Sequence, residues 1–151
     1  MINFIRTNSD NPDFRELVVY MEAELQIRDG ENHVYYAHLN KIDRINQVIV
    51  AYDNGLPVGC GAIREYEEGI MEVKRMFVPL NRRGEGIASE ILRKLEQWAA
   101  ELNIKKCLLE TGKNQPEAIA LYTKSKYKMV SNFGQYKNEE NSVCFEKIIS
   151  Q

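Results

Sequence analysis

Residues 70–88, IMEVKRMFVPLNRRGEGIA, join an apolar strand to a helix through a basic turn that contains two glycines. The strand is predicted to end at Val78-Pro79, the turn to occupy 81–86, and the helix to run over 84–102. Apolar residues recur every three or four positions along that helix: Ile87, Ala88, Ile91, Leu92, Leu95, Ala99 and Leu102. This period is typical of an α-helix that buries one face.

The turn between this strand and helix is suited to binding an anion. The first backbone N–H groups of a helix lack partners within the helix and carry its positive dipole end. Arg82 and Arg83 add positive charge at the same place. The residues therefore predict that a phosphate-bearing ligand is held on the first turn of the helix.

Composition predicts one globular domain over 1–151. Of its 151 residues, 44% are hydrophobic and 28% charged, which is ordinary for a soluble domain with one core. No apolar run approaches the roughly 20 residues that span a bilayer, so no membrane association is expected. The start of the chain lacks the basic and apolar segments of a secretion signal, so a cytoplasmic location is expected.

The charge of the chain is unevenly distributed. Residues 70–130 contain 12 Lys and Arg against 7 Asp and Glu, whereas the rest of the chain is acidic and the net charge is −2. A protein that binds duplex nucleic acid is usually basic overall, but the sequence pI here is about 5.8. The pattern favours an anionic cofactor at the glycine turn and no nucleic acid.

Cysteines and histidines give little sign of chemistry. Cys60, Cys107 and Cys144 are far apart and stand in apolar, strand-like contexts, which favours buried thiols over a disulfide or a nucleophile. His33 and His38 share one predicted short helix over 33–41, and other metal ligands do not converge on them. No metal site is expected.

The rest of the chain predicts an α/β domain with a mixed sheet. Strands are predicted at 1–6, 47–52, 56–66, 70–78, 104–110, 127–133 and 142–149, and further helices from Pro12 to Gln26 and from Asn114 to Ser125. Asp53-Asn-Gly55 is a hairpin signal, so strands 47–78 should form an antiparallel meander. Strand 104–110 follows a long helix and should lie parallel to 70–78. A polar loop is expected at 135–141.

Two motifs resemble the GNAT superfamily of acyl-CoA-dependent N-acetyltransferases. Arg83-Gly-Glu-Gly-Ile-Ala88 fits that family's Arg/Gln-x-x-Gly-x-Gly/Ala pattern. Ala118-Ile-Ala-Leu-Tyr-Thr-Lys-Ser-Lys-Tyr127 is similar to its Ala-x-x-Leu-Tyr-x-Lys-x-Gly-Phe/Tyr run. Lys126 replaces the usual glycine, so a non-glycine residue is expected at positive φ there. Glu85 puts a carboxylate in the turn, and its side chain is expected to point to solvent.

The resemblance implies a fold and a cofactor. It implies a mostly antiparallel sheet of about seven strands with helices on both faces and a central β-α-β crossover. It implies acetyl-CoA as co-substrate, with its pantetheine between two splayed strands. The residues implied to bind acetyl-CoA are Met76, Phe77, Val78, Arg83, Gly84, Glu85, Gly86, Ile87, Ala88, Asn114 and Tyr122. Asn114 could also cap the following helix. A homodimer is possible, because the last strands often pair across subunits in this family.

The resemblance also implies the chemistry. The implied reaction moves an acetyl group directly to a primary amine of a small molecule or peptide in a ternary complex. An alkylamine is an ammonium ion at neutral pH, so a base must remove a proton, and Glu72 is the candidate. A salt bridge with Lys74 or Arg75 is the alternative for Glu72. Tyr122 is the implied general acid for the sulfur, although a core tyrosine is the alternative.

Two questions stay open at this stage. In a regular strand Arg75 would face away from Glu72, unless a bulge intervenes, and it could serve as a substrate-carboxylate clamp or as a structural ion pair. The same fold could also carry a non-catalytic acyl-CoA-binding sensor.

Overall fold

The computed structural model of the protein describes residues 1–29 and 44–149. The short helix predicted at 33–41, with both histidines, lies outside the described residues. The elements are β1 (Ile2–Thr7), α1 (Pro12–Asp29), β2 (Gln47–Asp53), β3 (Leu56–Glu67), β4 (Ile70–Phe77), α2 (Ile87–Glu101), β5 (Lys106–Gly112), α3 (Pro116–Lys124), β6 (Lys128–Val130) and β7 (Ser142–Ile148).

The described strands form one seven-stranded sheet in the order β1-β2-β3-β4-β5-β7-β6. Strands β4 and β5 are parallel and joined by α2, and all other neighbouring strands are antiparallel. This confirms the predicted mixed sheet, its meander and its crossover. The hairpin turn between β2 and β3 has positive φ at Asn54 and Gly55, as the Asp-Asn-Gly sequence predicts.

Each face of the sheet carries its own hydrophobic cluster, so the sheet is covered on both sides. The cluster on one face joins α1 to the sheet and includes Phe14, Leu17, Val18, Val48, Val50 and Phe77. The cluster on the other face joins α2 and α3 to the sheet and includes Ile63, Val73, Ile91, Leu95, Tyr122 and Phe145. Alternate residues of β4 supply the two clusters, which makes β4 the central strand of the domain.

Two irregularities of β4 create the site. First, β4 pairs with β5 only from Ile70 opposite Lys106 to Val73 opposite Leu109, so the two strands diverge beyond these residues. Second, the register with β3 shifts between the Ala62–Lys74 and Cys60–Phe77 pairs, and Arg75 has a φ of +60°. This is a β-bulge.

The bulge corrects the expectation for a regular strand. Arg75 contacts Glu22 of α1, while Met71 and Val73 belong to the cluster under α2. Glu72 and Lys74 alternate with Met71 and Val73 along the strand, so their side chains lie on the α1 face of the sheet. Arg75 lies on the same face because of the bulge.

The last third of the chain differs in detail from the prediction. The strand expected over 127–133 is paired only from Lys128 to Val130. The polar loop expected at 135–141 begins within a 3₁₀ turn, Gly134–Tyr136, whose tyrosine is buried. Hydrophobic alternation cannot detect such a turn, because a single aromatic residue among polar neighbours has no period.

Lys126 has a φ of +75°, as expected for a residue at the family's glycine position. A side chain in the left-handed region costs about 1–2 kcal/mol, while glycine loses more entropy on folding. Lys126→Gly is therefore expected to raise the free energy of unfolding by about 0.5–1 kcal/mol, measured by urea denaturation. Lys124→Gly, within the last turn of α3, should lower it by a similar amount; a loss of stability in Lys126→Gly would contradict this account.

Candidate active site

A cleft of about 560 Å³ opens where β4 and β5 diverge. Most residues predicted for the site line it, from the strand, the glycine turn and α3. These are Glu72, Met76, Phe77, Val78, Arg83, Gly84, Gly86, Ile87, Ala88 and Tyr122. Because the diverging strands leave a gap through the sheet, the cleft reaches from the α1 face, where Glu72 lies, to the α3 side, where Tyr122 lies.

The glycine turn presents bare backbone to this cleft. Gly84 and Gly86 have φ values of +86° and +82°, and Gly86 is the N-cap of α2. Apart from its chain neighbours, a Cβ atom built on either glycine would have no atom of the described residues within 4 Å, so the space above the turn is open. The free N–H groups at the start of α2 therefore border an open space in which an anion fits.

The arginines of the turn are engaged elsewhere, contrary to the expectation that they add free positive charge. Arg83 donates to the carbonyl of Val78 at 2.8 Å and to the Glu24 carboxylate at 2.6 Å. Arg82 pairs with Asp53 at 2.8 Å and with Glu85 at 3.0 Å. These bonds connect the turn to α1 and to β2, so the two arginines stabilise the conformation of the turn. Glu85 is partly exposed and does not line the cleft, as expected for that carboxylate.

Glu72 is a buried carboxylate held by two side chains. Its Oε2 accepts a hydrogen bond from the Tyr136 hydroxyl at 3.0 Å and lies 3.5 Å from the Lys74 ammonium. The predicted alternative, an ion pair with Lys74, is therefore present, and Arg75 pairs instead with Glu22 at 2.9 Å. Burial lowers the pKa of Lys74, an effect that the neighbouring Glu72 opposes. Both contacts use Oε2.

Tyr136 lines the cleft beside Glu72 and was not predicted from the sequence. It is 1% exposed, accepts hydrogen bonds from Lys74 at 3.3 Å and Gln135 at 3.1 Å, and donates to Glu72. Burial first, and then the charge of Glu72, raise the pKa of Tyr136 far above its ordinary value. Its hydroxyl thus stays protonated and keeps donating to the carboxylate. In the sequence, Tyr136 stands out only as an aromatic residue within the polar loop predicted at 135–141.

Tyr122 lies buried on α3, with its ring 6.0 Å from Tyr127 and 6.1 Å from Phe145, measured between centroids. Burial, and then the charge of Glu110, raise the pKa of Tyr122 well above its ordinary value. The hydroxyl therefore stays protonated throughout the neutral range. Tyr122 therefore packs in the hydrophobic core, as the alternative prediction had it, and also lines the cleft.

Asn114 does not cap α3, so that expectation was wrong. The helix begins at Pro116 and its N-cap is Gln115, without a side-chain capping bond. Asn114 is exposed and does not line the cleft, whereas Gln115 is buried and does. Proline at the first helical position moves the start of the helix one residue further than the asparagine signal suggests.

All three cysteines are buried and free, in β3, β5 and β7, as predicted. Burial raises the pKa of Cys60 and of Cys107 to about 12 and that of Cys144 to about 11. Since a thiolate is the reactive form, these thiols are poor nucleophiles.

Within residues 1–29 and 44–149, no group of three or more potential ligands could hold a metal ion. No helix in the same ranges is long and apolar enough to cross a membrane.

Comparison with known proteins decides the family. The sequence profile of the Acetyltransferase (GNAT) family matches residues 12–127, which include the meander, the glycine turn and the Leu-Tyr helix. The chain belongs to the GNAT family. It is 41% identical over 100 residues to an IAA acetyltransferase of Azospirillum brasilense. That match covers 66% of this chain and 65% of the relative, so just under two thirds of the relative's length is spanned.

Solved structures share the fold over nearly the whole GNAT domain. A Klebsiella pneumoniae protein, provisionally classed as an acyl-CoA N-acyltransferase, superposes with a TM-score of 0.83 at 27% identity. That comparison covers 99% of this chain and 98% of the other. A GNAT family acetyltransferase of Elizabethkingia anophelis, with acetyl-CoA bound, superposes with a TM-score of 0.69 at 16% identity and covers 97% of each chain.

Proposed function

We propose that this protein moves an acetyl group from acetyl-CoA to a primary amine of a small molecule or peptide, by direct transfer in a ternary complex. One observation carries the proposal: an open glycine turn, a buried glutamate and a buried tyrosine all line the cleft where β4 and β5 diverge. The acetyl-CoA bound to the Elizabethkingia anophelis relative, which has the same fold, supports the choice of donor.

The residues around the cleft fit such a donor. Backbone N–H groups between Arg83 and Ala88 would bind the diphosphate, because two positive-φ glycines leave the space above them open. Beyond Val73, β4 no longer pairs with β5, so the edge formed by Met76, Phe77 and Val78 can hydrogen-bond the pantetheine as an added strand would. The donor supplies an acetyl thioester, which the chain must orient toward the acceptor.

The chain's own groups supply both proton transfers. Glu72 accepts a proton from the acceptor ammonium through Oε1, directly or through a water, while Lys74 and Tyr136 hold Oε2 in place. The freed amine then attacks the thioester carbonyl, and the C–S bond breaks. Tyr122 donates its proton to the departing sulfur, which leaves as a thiol. The nitrogen gives up its second proton as the amide forms, and this proton passes through water to the Tyr122 oxygen, while Glu72 releases the first proton to solvent. Buried, unreactive cysteines argue against a covalent acetyl-enzyme.

The direct test is release of free thiol from acetyl-CoA in the presence of a mixed panel of amines, with product masses checked by mass spectrometry. We expect acetylation of at least one amine that depends on the protein. If CoA binds and no amine in the panel is acetylated, the second candidate, a non-catalytic acyl-CoA sensor, replaces this one. The observation that favours a sensor is the glycine turn, because a sensor and an acetyltransferase would both bind acyl-CoA there.

Gly86→Ala should weaken binding of acetyl-CoA. Alanine strains a backbone with a φ of +82° and places a methyl group above the N–H groups at the start of α2. Loss of one charge-assisted hydrogen bond, about 1.5–3 kcal/mol, corresponds to a rise of about tenfold or more in the KM for acetyl-CoA. Steady-state kinetics and calorimetric titration with CoA would measure it.

Gly55→Ala is the matched control for this variant. Gly55 has a φ of +84° and open space around it, but it lies in the β2–β3 hairpin outside the cleft. Both variants should lose similar stability, and only Gly86→Ala should change the KM for acetyl-CoA. Equal KM values in the two variants would disprove the diphosphate position.

A further inference from the structure

Arg75 is a buried cation whose ion-pair partner, Glu22, accepts a hydrogen bond from only one of its three guanidinium nitrogens. The side chain is 2% exposed, and its Nη1 donates to the Glu22 carboxylate of α1 at 2.9 Å. Nε and Nη2 are fully buried, and among residues 1–29 and 44–149 they have no hydrogen-bond partner. Burial lowers the pKa of Arg75, and Glu22 opposes that shift. A buried charged donor without a partner is costly, so its retention calls for a physical reason.

The two unpartnered donors form one edge of the guanidinium. Nε–H and the adjacent Nη2–H point in parallel, which is the geometry that binds both oxygens of a carboxylate. Glu22 engages only Nη1, so this bidentate edge remains for another group. Arg75 lines the same cleft as Glu72.

The backbone directs Arg75 to that position. A φ of +60° in a non-glycine residue is strained, and the bulge that contains it turns Arg75 onto the face that carries Glu72 and Lys74. The Arg75 carbonyl accepts a hydrogen bond from the Cys60 thiol at 3.3 Å, which holds the bulge. In the described part of the chain, the charged neighbours of the guanidinium are Glu22, which is paired with it, and Lys74, which repels it and pairs with Glu72.

We propose that the bidentate edge of Arg75 binds a carboxylate of the acceptor, so that the acceptor class is amino acids and other amines that carry a carboxylate near the amine. The proposal rests on the proposed function, since it assigns the acceptor of the same reaction. Glu72 receives the proton of the amine end, and Arg75 fixes the anionic end on the same face of β4. The carboxylate also satisfies the two buried donors that the protein leaves unpaired.

The test compares amines that differ only at the carboxylate. Each α-, β- and γ-amino acid of a panel is assayed by thiol release beside its carboxamide and its decarboxylated amine. We expect kcat/KM to favour the acid by about 10–100-fold, as for a charged bidentate contact. Arg75→Gln should remove this preference by raising KM for the acid at nearly constant kcat, and Arg75→Lys should restore only part of it.

Several controls separate the possible failures. Arg93→Gln, which removes an exposed arginine of α2 outside the cleft, should leave the preference intact. Equal rates for acids and carboxamides in the wild type, or an equal loss for both in Arg75→Gln, would overturn the subsite and leave the acetyltransferase proposal standing. The wild-type comparison holds even if Arg75→Gln does not fold.

A direct binding measurement covers the case in which no amine is acetylated. In that case the proposed function fails, and N-acetylated amino acids and their carboxamides are titrated calorimetrically into the wild type with CoA present. If the N-acetylated acids bind more tightly than their carboxamides, and Arg75→Lys weakens that binding, the carboxylate subsite is supported. Equal binding, or no binding of either series, would overturn it.

Discussion

Replacing Glu72 by glutamine is expected to lower kcat for acetyl transfer by about 10²–10⁴-fold, the usual contribution of a positioned general base. The amide keeps the shape of the carboxylate and can still accept the hydrogen bond from Tyr136. It removes the counter-charge of the buried Lys74 ammonium, so some loss of stability is expected, and urea denaturation should accompany the assay. What it loses is the ability to take a proton from the acceptor ammonium. The KM for acetyl-CoA should change little, because the glycine turn lies elsewhere in the cleft.

The matched control for Glu72→Gln is Glu90→Gln. Glu90 lies on α2, outside the cleft, and pairs with Arg93, so its loss should leave turnover unchanged. A second check is pH, because an acceptor supplied already deprotonated needs no base. The difference between wild type and Glu72→Gln should therefore shrink as pH approaches the pKa of the acceptor amine, near 10.4 for a lysine-like amine. Unchanged turnover in Glu72→Gln at neutral pH would show that Glu72 is a buried ion-pair partner and not a base.

The part of the fold and site that could be predicted from the sequence is the part encoded in consecutive residues. The glycine turn, the preceding strand and the amphipathic helix occupy 70–103 without interruption, so periodicity and turn chemistry indicate each of them. Glu72 could be proposed because the family resemblance implies a glutamate on the central strand, about six residues before Val78. The mixed sheet followed from one hairpin signal and one strand-helix-strand crossover.

Contacts between distant residues could not be predicted. Tyr136 reaches Glu72 across 64 residues, Arg75 reaches Glu22 across 53, and Arg83 reaches Glu24 across 59. None of these pairs has a local spacing that indicates contact. The bulge at Arg75 was equally hidden, because positive φ normally calls for glycine or asparagine and the sequence Lys-Arg-Met carries neither. Once the bulge is known, the charged residues on the α1 face of β4 increase from two, Glu72 and Lys74, to three with Arg75.

Tyr122→Phe is expected to lower kcat by about 10²-fold or more, because the thiolate would then leave without a proton donor. The ring contacts with Tyr127 and Phe145 do not need the hydroxyl, so stability should be nearly unchanged. Tyr127→Phe, the neighbouring buried tyrosine outside the cleft, is the control and should keep full activity.

The activity of Tyr122→Phe across the neutral range distinguishes the acid role of Tyr122 from a packing role. Because burial raises the pKa of Tyr122, the wild-type hydroxyl stays protonated up to pH 10, and loss of the acid should not limit kcat below that value. A Tyr122→Phe variant that keeps full kcat up to pH 10 would assign Tyr122 to the core alone, since its ring contacts with Tyr127 and Phe145 do not need the hydroxyl.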